Sequence, residues 1–335
     1  MNNKRLLIKD IAAMSGVSIA TVSRVINGTG HCSSATTERV MAIVNATGFK
    51  PNLVARGLRV NQMNIIGVIV PDITNEFFAR LVNEIQKELF LSSYQVFICN
   101  TNEDIITEGH YFEALKSQNV AGIISAGAGY AENISSIIPT AFIDRSPSFN
   151  QTSHNNYFMV ESDNTLGGRL ATERLIKRGC KKIIMFTDSR RPSSQQDRIN
   201  GYIEAHGTEG IPLKTSNIIN LDEINYTSAY KKTIELLDEG MEFDGIFAST
   251  DWLAMGAYAA LTNRGIRVPE DVKLVGFDDI SAAQYNAKPI TTIRQDMSAI
   301  SKAAVSELLN RISGTEPNVN KKVTIPVTLI VRGTA

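Results

Sequence analysis

From Val17 to Gly28 the sequence reads Val-Ser-Ile-Ala-Thr-Val-Ser-Arg-Val-Ile-Asn-Gly. Wound as a helix, this stretch turns Val22, Val25 and Ile26 inward and leaves Ile19, Ala20, Ser23, Arg24 and Asn27 on the other faces. That outer face has the chemistry of a base-edge reader. Arg24 can donate two hydrogen bonds to a guanine, and Ile19 and Ala20 can meet thymine methyl groups in a major groove. Ser18 and the N–H groups at the helix start can hold a phosphate. The competing reading is an ordinary helical bundle with a solvated arginine.

A second class of chemistry-bearing residues follows apolar runs further along the chain: Asp72 and Asn75, Asp144 and Arg145, Asp188 to Arg191, Asp251, and Asp278 with Asp279. If those runs are strands of open α/β sheets, these groups sit beyond the carboxyl ends, where such sheets bind ligands.

The elements that must position both sets are legible from periodicity. Up to about residue 60 the apolar residues fall at helical spacing: Ile8, Ile11 and Ala12, then Val22, Val25 and Ile26, then Val40, Ile43 and Val44. Gly16 supplies the turn between the first two helices, and Ser18 caps the second. The third starts at Ser33 or Ser34 and stops at Gly48. Pro51 to Arg59 reads as a short helix capped by Asn52, about two turns long and weakened by Gly57, which is marginal in water by itself. It is either a switchable connector or only a linker.

Beyond residue 62 the texture becomes apolar runs alternating with amphipathic helices. The expected strands are 65–70, 95–99, 122–126, 141–144, 183–187, 218–221, 246–249 and 273–277. Alternation of this kind makes parallel sheets, because each parallel connection needs a crossover. The length exceeds one ordinary sheet, so two α/β lobes facing one another across a cleft are expected.

Charge is divided along the chain. The total is 34 basic and 34 acidic residues, yet residues 1 to 60 hold eight basic against two acidic, and the remainder holds 26 against 32. An excess of +6 in a small helical segment suits a polyanion, and a body at −6 does not. Cys32, Cys99 and Cys180 form no C-x-x-C pair, and His31, His110, His154 and His206 are scattered, so no metal or cofactor is expected. With no signal peptide and no membrane-length apolar run, a soluble cytoplasmic protein is expected. An enzyme is the rival class. Its best motif, Gly127-x-Gly129-x-x-Glu132, lacks the third glycine of a dinucleotide fingerprint, and no P-loop, nucleophile elbow or H-E-x-x-H is present.

These residues together resemble the lactose-repressor/galactose-repressor (LacI/GalR) family of transcriptional regulators. The resemblance is carried by Ile8-Lys9-Asp10-Ile11-Ala12, by the segment from Val17 to Asn27, and by Pro51-Asn52-Leu53-Val54-Ala55-Arg56-Gly57-Leu58. It runs on through 65–73, 163–168, 245–256, 268–279 and 291–295. The likeness is to the carbohydrate branch, of sucrose- or ribose-operon repressor type. It implies an α/β architecture: a helix-turn-helix headpiece at 1–50, a hinge helix and linker at 51–62, and a two-lobed, periplasmic-binding-protein-like effector and dimerisation domain at 63–335. Lobe one is expected at about 63–161 plus 291–322, and lobe two at about 162–290 plus 323–335.

The resemblance further implies a homodimer on a pseudo-palindromic operator. Ser18, Ile19, Ala20, Thr21, Ser23, Arg24 and Asn27 would contact DNA from the recognition helix. Asn52, Ala55, Arg56 and Leu58 would do so from the hinge, with Leu58 wedged into the minor groove. In the body it implies an effector site. Phe77 and Phe78 lie at the cleft mouth, one in the core and one in the pocket, and Arg198 and Asp278 are the main polar clamps. Asn75, Arg145, Asp163, Asp251 and Trp252 stand behind them. The alternative for Arg198 and Asp278 is a structural ion pair across the lobes.

The expected function is a repressor of a carbohydrate uptake or utilisation operon, governed by a small sugar or sugar phosphate. A nucleobase or other metabolite acting as corepressor is the alternative effector. One departure stands out: Leu7 occupies the place where the family usually has a threonine whose hydroxyl caps helix one.

Overall fold

The computed structural model describes residues 6–27, 30–49, 63–127, 138–146, 157–315 and 321–335. The chain divides into two compact units, Met1–Met63 and Asn64–Ala335.

The first unit is three helices, α1 (Ile8–Ser15), α2 (Ile19–Asn27) and α3 (Ser34–Thr47). Ile11, Ala12, Val22 and Val40 form its small core, flanked by Ile8, Val17, Val25, Ile26, Ile43, Val44 and Phe49. Gly16 takes a left-handed φ of 69° and both its own N–H and that of Val17 return to the Ala12 carbonyl, so the chain reverses sharply before α2. Ser18 Oγ accepts the Thr21 N–H at 3.1 Å and Ser33 Oγ accepts the Thr36 N–H at 3.3 Å, capping α2 and α3. Leu7 has no oxygen to cap with and is half exposed rather than packed as a staple. Asp10, one turn into α1, accepts the Leu7 N–H at 2.7 Å instead, so the acidic half of a capping box does the work alone. The expected hinge helix, with Asn52, Ala55, Arg56 and Leu58, lies outside the described residues, as does most of the Gly127-x-Gly129-x-x-Glu132 motif.

The second unit holds two six-stranded sheets. In chain order its elements are β1 (Met63–Val70), α4 (Glu76–Leu91), β2 (Gln95–Asn100), α5 (Ile105–Ser117), β3 (Val120–Ser125), β4 (Thr140–Ile143), β5 (Tyr157–Ser162), α6 (Asn164–Lys177), β6 (Ile183–Asp188), α7 (Ser193–Thr208), β7 (Ile218–Leu221), α8 (Tyr226–Asp238), β8 (Gly245–Ala248), α9 (Asp251–Asn263), β9 (Lys273–Asp278), α10 (Ser281–Gln284), β10 (Thr291–Gln295), α11 (Met297–Ser313), β11 (Lys321–Ile325) and β12 (Val327–Ile330). Lobe one carries the order β11-β5-β4-β3-β1-β2 and lobe two the order β12-β10-β9-β8-β6-β7. All pairings given for these sheets are parallel except β10 with β12.

Alternation along the strands decides which helix covers which face. Ile66, Val68 and Val70 of β1 pack with Leu81 and Ile85 of α4 and with Ile300, Ala304 and Leu308 of α11. Ile69 points the other way, toward Phe112 and Leu115 of α5. In lobe two, α9 packs one side of the sheet through Leu253, Ala254, Ala257 and Leu261, and α6 and α7 pack the other through Ala171, Leu175, Ile199 and Tyr202.

The lobe boundaries differ from the sequence expectation at both returns. Residues 291–295 do not join lobe one. Thr291-Thr292-Ile293 is buried and β10 pairs with β9 and β12, so the chain crosses only after Gln295, where Asp296 caps α11 by accepting the Ala299 N–H at 2.9 Å. Residues 323–325 belong to lobe one through β11, which pairs with β5, and the last crossing comes after Ile325. The three crossings are bonded to one another: the Asp163 N–H donates to the Ile325 carbonyl at 2.8 Å, and the Ser162 hydroxyl donates to Gln295 Oε1 at 2.6 Å. Four strands, β5, β10, β11 and β12, were not among those expected from periodicity.

Candidate functional site

In the first unit the face of α2 expected to read bases is open. Ser18, Ile19, Ala20 and Arg24 are exposed, while Thr21 and Ser23 are half-buried. Thr21 shares its hydroxyl with Ser18 at 2.9 Å, so it braces the cap at the helix start. Asn27 ends the helix, and its side chain lies outside the described residues.

In the second unit a cleft of about 320 Å³ runs between the carboxyl edges of the two sheets. From lobe one it receives Asp72, Asn75, Phe77, Phe78, Asn102, Glu103, Asp144 and Arg145, and from lobe two Asp188, Arg190, Ser194, Gln195, Arg198, Thr250, Asp278 and the segment 222–225. Of the expected effector residues it gathers Asn75, Phe77, Phe78, Arg145, Arg198 and Asp278.

Arg198 is the floor. It comes from α7, which approaches α6 so closely that a Cβ on Gly168 would lie 2.2 Å from the Arg198 carbonyl oxygen and one on Gly201 would lie 2.0 Å from that of Thr165. Only glycine permits that approach, and the approach places the guanidinium. Arg198 is 3% exposed. Its Nε donates to Asn164 Oδ1 at 2.8 Å, its Nη1 donates to the Ser249 carbonyl at 2.6 Å, and the group lies over the Phe277 ring at 3.7 Å.

Two carboxylates flank Arg198 without closing on it. Asp278 Oδ1 is 3.7 Å from Nη1, and Asp144 Oδ1 is 3.9 Å from Nη2. These separations are too long for direct hydrogen bonds. Arg198 and Asp278 both belong to lobe two, so they are not an ion pair across the lobes. Asp144 Oδ2 accepts the Ser194 hydroxyl at 3.2 Å, whereas its buried Oδ1 accepts no hydrogen bond. A buried acceptor with spare capacity is left there, beside the Arg198 guanidinium.

The backbone pays for this placement. Asp144 has φ 67° and the Arg145 N–H closes on the Ile143 carbonyl at 2.7 Å, a strained three-residue turn, and Asp278 has φ 107°. Burial pushes the Asp278 carboxyl up to about 7, against the pull of the Arg198 charge. Burial also lowers the Arg198 pKa.

Phe77 and Phe78 meet edge to face, with centroids 5.0 Å apart. The expected division into one core and one pocket ring does not hold, since both belong to the lobe-one core while lining the cleft. Arg145 stands 5.7 Å over the Phe78 ring. Asn75 lines the cleft but its Oδ1 is occupied in capping α4, accepting the Phe77 N–H at 3.0 Å.

Three expected residues lie elsewhere. Asp163 caps α6, accepting the Leu166 N–H at 2.9 Å at the crossing between lobes. Asp251 is fully buried beneath β9 and β10, where it accepts the Ile280 N–H at 2.9 Å and the Thr292 hydroxyl at 2.6 Å. Burial and then the nearby Asp278 charge hold its carboxyl well above the usual range, and the group is architectural. Trp252 packs against the lobe-two core. In their place stand Glu103, Asn102, Gln195 and 222–225. Among these Glu103 had a missed signal, a turn just past the β2 run, though nothing in the sequence aimed it at Arg145.

Among the described residues, no group of histidine, cysteine and carboxylate side chains could hold a metal, and no helix is long and apolar enough to cross a membrane.

Residues 7–52 match the family described as bacterial regulatory proteins, lacI family, and residues 172–335 match the periplasmic binding protein-like domain. The chain is 33% identical to the ribose operon repressor of Halalkalibacterium halodurans, over 98% of this chain and 96% of that one. It is 35% identical to the sucrose operon repressor of Pediococcus pentosaceus, over 98% and 99%. Its fold is similar to the crystal structure of the lac repressor dimer bound to operator and the anti-inducer ONPF, with a TM-score of 0.85, 25% identity and 99% of each chain covered.

Proposed function

The chain belongs to the lacI family of bacterial regulatory proteins and is a DNA-binding transcriptional repressor; from that premise we propose that its cleft takes a small sugar that sets its affinity for operator DNA. The observation that carries this reading is the arrangement of Asp144, Arg198 and Asp278. The guanidinium is 3.7 and 3.9 Å from the two carboxylates and bonded to neither, so a hydroxyl oxygen placed beside each pair can bond to both members, and Asp144 Oδ1 has an acceptor position to spare. Adjacent hydroxyls of a sugar can donate to the carboxylates and accept from the arginine at once. A planar nucleobase would need an open aromatic face, and Arg145 already stands over Phe78.

On the DNA side, the exposed Ile19, Ala20 and Arg24 of α2 are the proposed base readers, with Ser18 at a phosphate and Asn52, Ala55, Arg56 and Leu58 as the proposed hinge contacts. The pairing of two chains on DNA has support in the body. Phe90, Leu91, Phe97, Ile98, Ile105 and Ile106 are all exposed around the edge strand β2, an apolar patch that suits a second copy of the chain.

Effector and operator are linked reciprocally: a sugar that weakens DNA binding by some factor binds the DNA complex more weakly by that factor. Thermal unfolding of the full chain against a sugar panel, followed by operator binding with each hit, tests the reading. The expected result is at least one sugar that raises the melting temperature and changes operator affinity. A sugar that stabilises the protein with no effect on DNA would refute control, and no stabilising sugar at all would refute the ligand class.

A further inference from the structure

Glu103 lines the cleft from the loop between β2 and α5, and two arginines close on it. Arg145 forks onto it with Nη1 at 2.6 Å from Oε2 and Nη2 at 2.9 Å from Oε1, and Arg190 Nη1 reaches Oε2 at 3.2 Å. Arg145 belongs to lobe one and Arg190 to lobe two, so the carboxylate bridges the cleft. Its own loop is strained to hold it there. Asn102 and Glu103 take left-handed φ values of 52° and 61° in succession, a conformation side chains with a Cβ rarely adopt twice running. The Glu103 N–H donates to the Pro71 carbonyl at 3.0 Å and Asn100 Nδ2 donates to Asn102 Oδ1 at 2.7 Å, fixing the loop.

The other two arginines of the cleft are also engaged, Arg198 only in part. Arg190 forks onto Asp188 with Nε at 2.9 Å and Nη2 at 2.6 Å, and Arg198 is held by Asn164 and Ser249 between Asp144 and Asp278. Seven acidic residues, Asp72, Glu103, Asp144, Asp188, Asp222, Glu223 and Asp278, line the cleft against three arginines. An entering phosphate ester would have to break a bidentate pair and would then face an excess of carboxylates. An uncharged sugar meets neither obstacle.

We propose that Glu103 is a built-in anion that fills the two-arginine site of the cleft, so that the site takes an unphosphorylated, uncharged sugar and rejects sugar phosphates and sugar acids. The proposal rests on the cleft being the effector site and narrows the class of effector. Glu103 is thereby a specificity-determining residue: it occupies the place where a ligand phosphate would bind.

The test uses the full chain in thermal unfolding and calorimetry with ribose, fructose, ribose 5-phosphate, fructose 6-phosphate and inorganic phosphate at millimolar concentration. The wild type is expected to ignore all three phosphate probes. Glu103→Gln, which keeps the shape and removes the charge, is expected to gain binding of inorganic phosphate and of the esters by about tenfold or more. Glu103→Asp retains the charge and is expected to reject them as the wild type does. A wild type that binds an ester as tightly as its free sugar overturns the proposal, and this arm needs no variant. So does a folded Glu103→Gln that stays indifferent to inorganic phosphate. If no free sugar binds but Glu103→Gln gains phosphate, the sugar reading fails and the role of Glu103 stands.

Discussion

Gln295 donates its side-chain amide to Asp278 Oδ1 at 2.7 Å and, through its other end, accepts the Ser162 hydroxyl at 2.6 Å. One side chain at a crossing between the lobes is therefore bonded both to the cleft and to a neighbouring crossing strand. A ligand that changes how Asp278 is hydrogen-bonded therefore also reaches a crossing between the lobes. Coupling of this kind needs a contact that differs between the two states, and this is where the geometry offers one.

Gln295→Ala should accordingly separate binding from response. It leaves a buried Asp278 oxygen without its donor, a loss of about 1 to 3 kcal/mol in stability. The sugar that stabilises the wild type should still bind, while the ratio of operator affinities with and without it falls toward one. Paired titrations of sugar and operator measure both quantities, and an unchanged ratio would remove Gln295 from the coupling path.

The Asp278 carboxyl sits at about 7 because it is buried, well above the ordinary aspartate value near 4 of an unfolded chain. Between those values the folded protein holds a proton that the unfolded chain has released, so this group's contribution to stability falls as pH rises from about 4 to 7. Asp278→Asn abolishes the titration. Denaturant unfolding across that interval should show the wild type losing more stability with rising pH than the variant, and parallel curves would contradict the assignment.

Gly201→Ala puts a methyl group 2.0 Å from the Thr165 carbonyl, against backbone that cannot step aside. The helices α6 and α7 must separate, at about 1 to 3 kcal/mol, and Arg198 moves with α7. Weaker sugar affinity together with a lower melting temperature is the expected pair of outcomes. Gly207→Ala on the same helix, where a Cβ would meet nothing within 4 Å, is the control: sugar affinity should stay unchanged and the melting temperature should hold or rise slightly.

Arg24→Ala should relax specificity at one guanine of the operator, at a cost of about 1 to 3 kcal/mol there and little elsewhere. Competition among operators varied base by base distinguishes this from uniform weakening, which would assign Arg24 to a phosphate. Operator affinity should also fall steeply with salt, as phosphate contacts require.

Helical spacing and cap residues were enough to place the headpiece, because its three helices are short, contiguous and bounded by Ser18, Ser33, Gly16 and Gly48. Most strands rich in Val, Ile and Phe were equally plain, although β5, with Phe158 and Val160, and β12, with Val327 and Ile330, were missed. What escaped was the set whose burial depends on distant partners. The strand β10, Thr291-Thr292-Ile293-Arg294-Gln295, looks polar, yet its threonines are buried because Asp251 and Thr334 supply hydrogen bonds from far along the chain. The cleft divided the same way. Asp278 follows from its place at a strand end and Arg198, inside α7, from the family resemblance, whereas the aspartate at 251 also follows a strand and is turned inward by the Thr292 hydroxyl. Strand-end location selects candidates, and only packing decides which of them face solvent.

The three crossings also govern the order in which the chain becomes a regulated protein. Neither lobe is a continuous stretch: lobe one waits for β11, and lobe two waits for β12, the last strand of the chain. The three described helices of the headpiece and their core, by contrast, all lie within the first 49 residues. During synthesis from the N-terminus the DNA-reading unit therefore exists before either half of its control unit can close. Nascent chains stalled ahead of Lys321 should expose both lobes to protease while the headpiece resists.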